Sequence, residues 1–466
     1  MIVSDTSWLP NLSDAGRSKY KALAQAIRDD VKSGALPQGD KLPTVRDLAY
    51  RIGVTPGTVA RAYKLLTDDE ILMAEVGRGT FVARSGEKQA DTIVPLIHLV
   101  DETTADFRSS RVPDVGQGRV IDDAFIRLGQ SRRRRYINYP TEATDIETRQ
   151  AVVDWLAPRQ LGDFGPDDIV LGNGAQHCCI LALQNILTGP HPVILTEELA
   201  YPGARHAARL LRAKVVGVAM DDDGIIPAAL SAAYRAYGGQ VLLTAADVHS
   251  PTTVKTGLVR KQQLAAVAKQ FGLAIIEDDC HTISNTDVPA YRALLPDQSY
   301  LVSSLTKSVS GALRFGFIVA PNGHGKTLRQ VGQSSFYGVA QPILDVCADL
   351  IRSGDAAKIR AQVERQTAHR VRLAAGILGK WGLRSREDAP FAWLPLPTGW
   401  RASSFTIACE RRGVTIRPAD EFVLSNARAP NAVRLAVNTC VSEALFVQAL
   451  HDMADLLKNP VALIDG

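Results

Sequence analysis

Two different hydrophobic patterns follow one another along this chain of 466 residues, and no single fold accommodates both. Residues 14–84 contain short amphipathic stretches and two brief apolar segments around glycines, whereas residues 119–466 alternate apolar runs with Ala- and Leu-rich stretches. A chain of this length is also too long for one hydrophobic core. Between the two parts, residues 85–118 lose periodicity and gather Asp, Thr, Ser, Pro and Gly. We therefore predict a small N-terminal domain, a linker and a large C-terminal domain.

The first pattern predicts a helix-turn-helix. Residues 18–33 place apolar side chains at steps of three and four, which is typical of an amphipathic helix. After a turn, Thr44 can cap a second helix over residues 45–52, and Gly53 ends it. A third amphipathic helix follows over residues 57–66. Two helices joined by a four-residue turn that contains Gly form the helix-turn-helix geometry.

Two short β segments come next, residues 71–75 and 80–83, on either side of a Gly-Arg-Gly turn. They predict a hairpin wing with a cation at its tip. Such a domain presents a helix to the major groove and a wing to the backbone or minor groove, so we expect it to bind a double-stranded DNA operator. Each arginine by itself would be interpreted as surface charge, and the scaffold favours DNA. The residues expected to bind DNA are Arg46, Thr55, Gly57, Thr58, Arg61, Arg78 and Gly79.

Composition limits the class of protein. A net charge of +4 is too small to identify a nucleic-acid-binding protein, so the DNA prediction depends on the motif. The six cysteines are scattered without a Cys-x-x-Cys pair, which favours reduced thiols over disulfides or a metal site. No apolar run reaches the roughly 18 residues of a membrane span, and the N-terminus lacks the apolar core of a signal peptide. We expect a cytoplasmic protein without a membrane partner.

The second pattern predicts an α/β sheet that is buried on both faces. The apolar runs predicted as strands are residues 193–196, 215–220, 241–247, 274–279, 300–304 and 315–321. Ligands of open α/β sheets bind at the carboxyl ends of the strands. Asp278 follows the run Ala-Ile-Ile-Glu, and Lys307 follows the run that ends in Leu-Thr. We therefore expect these two residues to lie at a ligand site.

The residue types at these places suit pyridoxal phosphate (PLP). This cofactor needs a lysine for a Schiff base, a carboxylate at the pyridine nitrogen, phosphate ligands and usually an aromatic ring over its own. Lys307 and Asp278 can supply the first two, and Arg314 can bind a phosphate with two donors. Any one of these residues could instead be surface charge or a helix cap, and the order and spacing of the whole set favour the cofactor. The candidates for the ring and for a phosphate-binding helix N-terminus are Tyr201 and Gly174, Ala175 and Gln176.

Both parts of the chain resemble known families. The stretch LPQGDKLPTVRDLAYRIGVTPGTVARAYKLL, followed by GRGTFVA, resembles the winged helix-turn-helix of GntR-type transcription regulators. The part after the linker resembles fold-type I aminotransferases, and the two-part chain resembles the MocR (GabR-like) branch of GntR regulators. The resemblance implies a homodimer in which PLP forms an internal aldimine with Lys307 and contacts Asp278 through its pyridine nitrogen. It also implies that Arg314 binds the phosphate and that Arg434, in AVRLAV, binds a carboxylate of the effector.

The chain departs from the family pattern at five positions in four motifs. The family's tyrosine after the aspartate is Cys280 here, a poor hydrogen-bond donor, and Asn-Pro-Thr-Gly reads Ser-Pro-Thr-Thr from Ser250. We expect Ser250, assisted by His249, to reach the phenolic oxygen of the cofactor. Both changes should shift the pKa of the imine, which hydrogen bonds to that oxygen help to keep unprotonated. Thr144 replaces a glycine near the start of the large domain, and Pro56 replaces an arginine after the DNA-binding turn. The predicted cofactor-binding set is completed by Ser250, Cys280 and Ser304.

The combined pattern predicts a PLP-dependent transcription regulator rather than an enzyme. An amino compound would replace Lys307 on the cofactor as an external aldimine and so alter how the winged helices engage their operator. Sensing of this kind requires only a difference in affinity between two states. Two alternatives stay open: a working aminotransferase with an accessory DNA-binding domain, and a regulator whose effector pocket has lost PLP.

Overall fold

A computed structural model of the chain describes residues 8–10, 19–37, 39–68, 71–75, 79–82, 104–130, 136–424, 427, 429–438 and 441–458. The chain divides into two compact units, Met1–Val94 and Pro95–Gly466. In the part described, no helix is both long and apolar enough to cross a membrane.

In its described residues the first unit consists of three helices and an antiparallel hairpin, as the sequence predicts. They are α1 Lys19–Ser33, α2 Val45–Arg51, α3 Pro56–Asp68, β1 Leu72–Glu75 and β2 Gly79–Val82. The Thr44 hydroxyl accepts a hydrogen bond from the Asp47 N–H at 3.3 Å, which confirms the predicted cap of α2. The apolar stripes of α1 and α3 pack into one core because their side chains recur at steps of three and four. Fully buried members of this core include Leu23, Ile27, Val59 and Leu66.

The second unit is a mixed α/β domain. Its helices are α4 Gln117–Gln130, α5 Glu142–Leu156, α6 Ala175–Ile186, α7 Gly203–Leu210, α8 Pro227–Tyr237, α9 Leu258–Phe271, α10 Tyr291–Leu294, α11 Gly325–Phe336, α12 Gln341–Arg352, α13 Asp355–Leu378, α14 Ala402–Glu410 and α15 Glu443–Lys458. Its strands are β3 Ala105–Asp106, β4 Ile169–Gly172, β5 Val193–Glu197, β6 Lys214–Val218, β7 Met220–Asp221, β8 Gly224–Ile225, β9 Val241–Thr244, β10 Ala274–Asp278, β11 Ser299–Ser304, β12 Gly316–Val319, β13 Arg384–Ser385, β14 Phe391–Pro395, β15 Val414–Thr415, β16 Arg417–Pro418 and β17 Ala432–Ala436.

A seven-stranded sheet in the order β4-β12-β11-β10-β9-β5-β6 forms the centre of this unit. Only β12 runs antiparallel to its neighbours, so the other six strands end at the same edge. Every residue of β5, β9, β11 and β12 is buried, which confirms a sheet covered on both faces. The prediction of a strand through residue 247 was too long: β9 ends at Thr244, and the next backbone N–H, of Ala245, donates to the Glu197 side chain instead of a neighbouring strand.

A second, four-stranded antiparallel sheet in the order β13-β14-β17-β16 follows toward the C-terminus. The short strand β3 pairs in parallel with β15, and the Phe107 ring is fully buried 5.4 Å from that of Phe446. The structure thus differs from the predicted linker over the second half of residues 85–118. A two-residue strand carries no periodicity, so the sequence gives no signal for it.

Candidate functional site

Lys307 and Asp278 lie at one edge of the seven-stranded sheet. β10 ends at Asp278, and its parallel neighbour β11 ends at Ser304, three residues before Lys307. Burial lowers the pKa of the Lys307 amine to about 8, and it raises the pKa of the Asp278 carboxyl. The charge of Lys307 opposes the rise at Asp278, so the two groups lie within electrostatic range of each other. An amine and a carboxyl perturbed in this way are typical of a functional site.

A helix N-terminus and an arginine form a cradle at the same edge. β4 ends at Gly172 and α6 begins at Ala175, so the first turn of α6 presents free backbone N–H groups there. Gly174 caps this helix with a φ of +84°, and a Cβ at Gly174 would lie 2.5 Å from Arg314 Nη2. Arg314 Nη2 also donates to the carbonyl of Asn173 at 3.1 Å. Glycine permits the guanidinium to approach the helix start, and the two sets of donors together suit a phosphate.

A cavity opens at this edge and is lined by Asp278, Tyr201, Gln176 and Ser250, among others. Burial raises the pKa of the Tyr201 phenol, which keeps this ring neutral. The Gln176 amide donates to the carbonyl of Gly203 at 2.9 Å and so fixes the start of α7 against α6.

Arg434 lies on β17 beside this cavity. Its guanidinium carbon lies 5.5 Å from the ring centre of Phe391 and 5.0 Å from that of Phe422. Nη1 donates to the Ser250 hydroxyl at 3.2 Å, and Nη2 donates to the carbonyl of Arg108. Within the described chain, no group accepts a hydrogen bond from its Nε. Burial lowers the pKa of Arg434 to about 9. A buried cation that reaches a cavity-lining hydroxyl is well placed for a ligand carboxylate.

The substituted positions have other hydrogen-bond partners. The Cys280 N–H donates to Asp278 Oδ1 at 3.1 Å, and its Sγ lies 3.6 Å from His281 Nδ1. Burial raises the pKa of the Cys280 thiol, which therefore stays protonated. The Ser304 hydroxyl accepts from the Thr306 N–H at 3.3 Å.

Two further residues named in the sequence analysis, His249 and Thr144, make other contacts in the structure. One ring nitrogen of His249 lies 2.7 Å from the Thr252 hydroxyl and the other 2.9 Å from the carbonyl of Leu199, so no nitrogen is free to assist Ser250. Thr144 takes part in a capping box with Thr141 at the start of α5, where its hydroxyl accepts from the Thr141 N–H at 2.9 Å.

Residues 105–111, called here the covering segment, bring two backbone carbonyls to the site. The carbonyl of Ser110 accepts from Lys307 Nζ at 2.5 Å, and that of Arg108 accepts from the Arg434 guanidinium. The segment is held by backbone bonds to Gly413, Thr415 and Asn438. These two carbonyls thus accept hydrogen bonds from Lys307 and Arg434, the side chains that a cofactor and a ligand acid would contact.

Sequence reasoning missed a network of five buried charges behind the site. Lys261 Nζ donates to Asp247 at 2.9 Å and to Glu277 at 2.8 Å. Arg159 contacts Asp247 at 2.9 Å and Asp279 at 2.9 Å. Two of these carboxylates flank the aspartate at the end of β10, so the network positions that strand end. The acidic triplet at residues 277–279 was the only signal in the sequence, since the two cations come from a distant helix and a distant loop.

A buried glutamate in the cavity wall was also missed. Glu197 ends β5, and its Oε1 accepts from the Thr244 hydroxyl at 2.5 Å and from the Ala245 N–H at 3.1 Å. Its Oε2 accepts from the Thr196 hydroxyl at 3.0 Å. These bonds join the ends of β5 and β9, which lie side by side in the sheet. An acidic residue at the end of an apolar run is the signal that could have indicated it.

In the first unit, the predicted DNA-binding residues of α2 and α3 lie at the surface. Arg46, Thr55, Gly57 and Arg61 are exposed, and Thr58 is half-buried. A 2.9 Å hydrogen bond joins the hydroxyls of Thr55 and Thr58 at the start of α3. These positions are compatible with the predicted recognition surface.

Other contacts of this surface were not predicted. The Arg61 guanidinium lies 5.1 Å from the ring centre of Tyr20 on α1. Gly79 opens β2 with a φ of +121°, and a Cβ there would lie 2.8 Å from Lys41 Cε. Tyr50 on α2 is 89% exposed, which makes it an additional candidate for DNA contact. Arg78 lies outside the described residues.

Two family matches divide the chain at the same place as its fold. Residues 19–82 match the family described as bacterial regulatory proteins of the gntR family. Residues 111–451, more than half of the chain, match the class I and II aminotransferases.

Proteins of similar length resemble both parts together. The HTH-type transcriptional regulator YdeF of Bacillus subtilis is 25% identical over 437 residues, with 92% of each chain covered. The vitamin B6 salvage pathway transcriptional repressor PtsJ of Salmonella typhimurium is 24% identical, with 90% of this chain and 94% of the relative covered. Among solved structures, the α-aminoadipate aminotransferase LysN of Thermus thermophilus superposes with a TM-score of 0.69 at 19% identity, covering 78% of this chain and 94% of its own. This last likeness establishes the fold alone.

Proposed function

Because the chain belongs to the class I and II aminotransferase family and joins that domain to a GntR-type helix-turn-helix, we propose that it is a PLP-dependent transcription regulator that senses an amino compound. The observation that carries the proposal is the meeting of Lys307, Asp278 and Arg314 at one sheet edge, in a chain that also bears a winged helix-turn-helix. Full-length relatives named as transcriptional regulators support the regulatory role.

The residues present fit PLP by their chemistry. The cradle of Gly174, the α6 N-terminus and Arg314 suits its phosphate, and a Cβ at Gly174 would obstruct it. Asp278 supplies the carboxyl for the pyridine nitrogen, and it lines the cavity together with Tyr201 and Ser250. When bound, PLP supplies an aldehyde that condenses reversibly with an amine.

Three residues of the chain have separate roles in this proposal. Lys307 provides an amine whose lowered pKa of about 8 leaves roughly a tenth of it unprotonated at pH 7, far more than for an exposed lysine, which makes it reactive at physiological pH. Asp278 holds a proton at the pyridine nitrogen. Arg434 binds and orients an acidic group of the effector, between two aromatic rings that exclude water.

The covering segment contacts the site and lies, along the sequence, on the side of the second unit that faces the helix-turn-helix. A ligand that takes over Lys307 and Arg434 competes with the carbonyls of Ser110 and Arg108 for the same donors. The chain runs from this segment directly back to the helix-turn-helix in sequence. We infer that release of the segment changes the affinity of the protein for DNA, because a ligand shifts an equilibrium only by binding its two states differently.

The proposal includes a homodimer, as the resemblance implies. Tyr139 and Tyr337 are 74% and 71% exposed, and their rings stack at 5.5 Å in the second unit. Exposed stacked aromatic rings are typical of interfaces. Sedimentation velocity measures the state directly, and a monomer at micromolar concentration would contradict this part of the proposal.

Lys307→Ala tests the proposal, with the exposed Lys326→Ala as the matched control. The wild-type protein and the control should show a visible band that borohydride removes, and Lys307→Ala should lack it. With an operator selected from random duplexes, amines that move the band should change DNA affinity in the wild type only. A normal response of Lys307→Ala would overturn the proposal, and catalytic formation of an α-keto acid from an amino donor would support the aminotransferase alternative.

A further inference from the structure

His281 is a buried residue of the candidate site that the sequence analysis did not select. It stands three residues after the end of β10 and is 8% exposed. Its ring centre lies 6.4 Å from that of Tyr201 and 5.2 Å from that of Phe391, in an edge-to-face arrangement with each. Tyr201 lines the cavity, and the Phe391 ring centre lies 5.5 Å from the Arg434 guanidinium. His281 therefore lies between the ring predicted to stack on the cofactor and a ring that packs on Arg434.

The imidazole of His281 is neutral and lies near Lys307. Burial and the positive charges of Lys307 and Arg434 together lower its pKa well below the ordinary range of histidine. Both cations thus lie within electrostatic range of the ring. A neutral imidazole has one nitrogen that donates a hydrogen bond and one that accepts. The ring can therefore donate to a ligand without adding a positive charge to the site.

Only one nitrogen of this ring has a hydrogen-bond partner among the described residues. Nδ1 lies 3.6 Å from Cys280 Sγ, and burial raises the pKa of that thiol, which keeps its proton. The thiol can donate to Nδ1, which places the ring proton on Nε2. The Nε2–H then has no acceptor in the part of the chain that the structure describes. Buried polar groups are nearly always hydrogen-bonded, so a ligand atom is the expected acceptor.

The phenolic oxygen of PLP is an acceptor of the required kind. It is attached to the ring carbon next to the one that bears the aldehyde, so it lies beside the Lys307 amine when the cofactor is joined to it. The residues expected from the sequence to reach this oxygen have other partners. Both ring nitrogens of His249 are engaged, and the Ser250 hydroxyl accepts from the Arg434 guanidinium at 3.2 Å.

We propose that His281 Nε2 donates a hydrogen bond to the phenolic oxygen of the cofactor. The inference rests on the proposed function, since it requires PLP at Lys307. A donor at this oxygen stabilises its negative charge and so keeps the neighbouring imine nitrogen unprotonated. The contact therefore helps to set the pH at which the visible band changes between its two forms. The thiol of Cys280 is too poor a donor for this role.

A pH titration of the visible band of the PLP-loaded full-length protein tests the inference. His281→Phe keeps a flat ring and removes the donor, so the midpoint should rise by about one pH unit, as expected for one charge-assisted hydrogen bond. His281→Gln places an amide N–H near the position of Nε2 and should restore most of the wild-type midpoint. His281→Asn places its amide nearer the position of Nδ1 and should not. The comparison of Gln with Asn decides the question if His281→Phe no longer binds PLP.

His191→Phe is the matched control, because this exposed histidine precedes β5, at the amino end of the strand and away from the site. Its midpoint should equal that of the wild type. The inference would be overturned by an unchanged midpoint in His281→Phe, by equal midpoints in the Gln and Asn variants, or by a larger rise for Ser250→Ala than for His281→Phe. A wild-type protein without any borohydride-sensitive band would instead contradict the proposed function.

Discussion

At the scale of single residues, burial sets the chemistry of the candidate site. Lys307 loses solvation and lies near the cations of Arg434 and Arg314, and both effects disfavour its charged form. Asp278 is shifted the other way by burial, toward the protonated carboxyl. An amine with a lowered pKa is suited to imine chemistry. A carboxyl with a raised pKa is suited to a hydrogen bond with a pyridine nitrogen.

The lowered pKa of Lys307 predicts how PLP incorporation depends on pH. Only the neutral amine condenses with an aldehyde, and a lysine with a pKa of about 8 is neutral in roughly one molecule in ten at pH 7. The rate of visible-band formation in cofactor-free protein should therefore rise with pH and level off above about pH 8. Stopped-flow absorbance measures this profile. A rate that keeps rising toward pH 10 would show that the amine has the ordinary pKa of an exposed lysine.

At the scale of elements, α9 and the end of β10 are joined by charge. Lys261 is completely buried, and its amine contacts Asp247 and Glu277 from two different strand ends. Arg159 closes the network from the loop after α5. Removing one member of such a network leaves carboxylates buried without a partner, which costs far more than losing a surface ion pair.

Lys261→Met should therefore destabilise the second unit by about 3 to 5 kcal/mol. Lys269→Met, on the exposed face of the same helix, should cost less than about 0.5 kcal/mol. Loss of the visible band during urea titration reports on the unit that contains the site, which avoids treating the two-unit chain as one transition. Similar midpoints for the two variants would mean that the network contributes little to the fold.

At the scale of the whole molecule, two units with separate cores carry separate chemistry. The predicted DNA-binding surface belongs to Met1–Val94 and the proposed cofactor site to Pro95–Gly466. Substitutions in the first unit should therefore change DNA affinity without changing the absorption spectrum. The covering segment is the part of the second unit that contacts the site and lies nearest the first unit in sequence.

Arg46→Ala should test this separation. If Arg46 contacts a phosphate, its loss should weaken binding to all duplexes and reduce the slope of log affinity against log salt by about one. The visible band should not change. Lys21→Ala, an exposed lysine on α1, is the control and should leave the slope intact. Fluorescence anisotropy over a range of salt concentrations provides the measurement, and an unchanged slope for Arg46→Ala would exclude that contact.

The sequence by itself determined the elements and the order of the site residues, because both are local. The steps of three and four in α1 and α3, the cap at Thr44 and the apolar runs of the large sheet are all patterns within short segments. The rule that ligands lie at the carboxyl ends of parallel strands then brought Asp278 and Lys307 together.

Only the tertiary structure decided the contacts between segments that are distant in sequence. The pairing of Arg417 with Arg434 depends on the register of β16 and β17, and the network of Lys261 depends on the packing of α9 against strand ends. The covering segment has no periodicity that could reveal its contact with Lys307, almost two hundred residues later. Such contacts follow from packing and charge compensation across the whole domain, which a pattern along one segment does not encode.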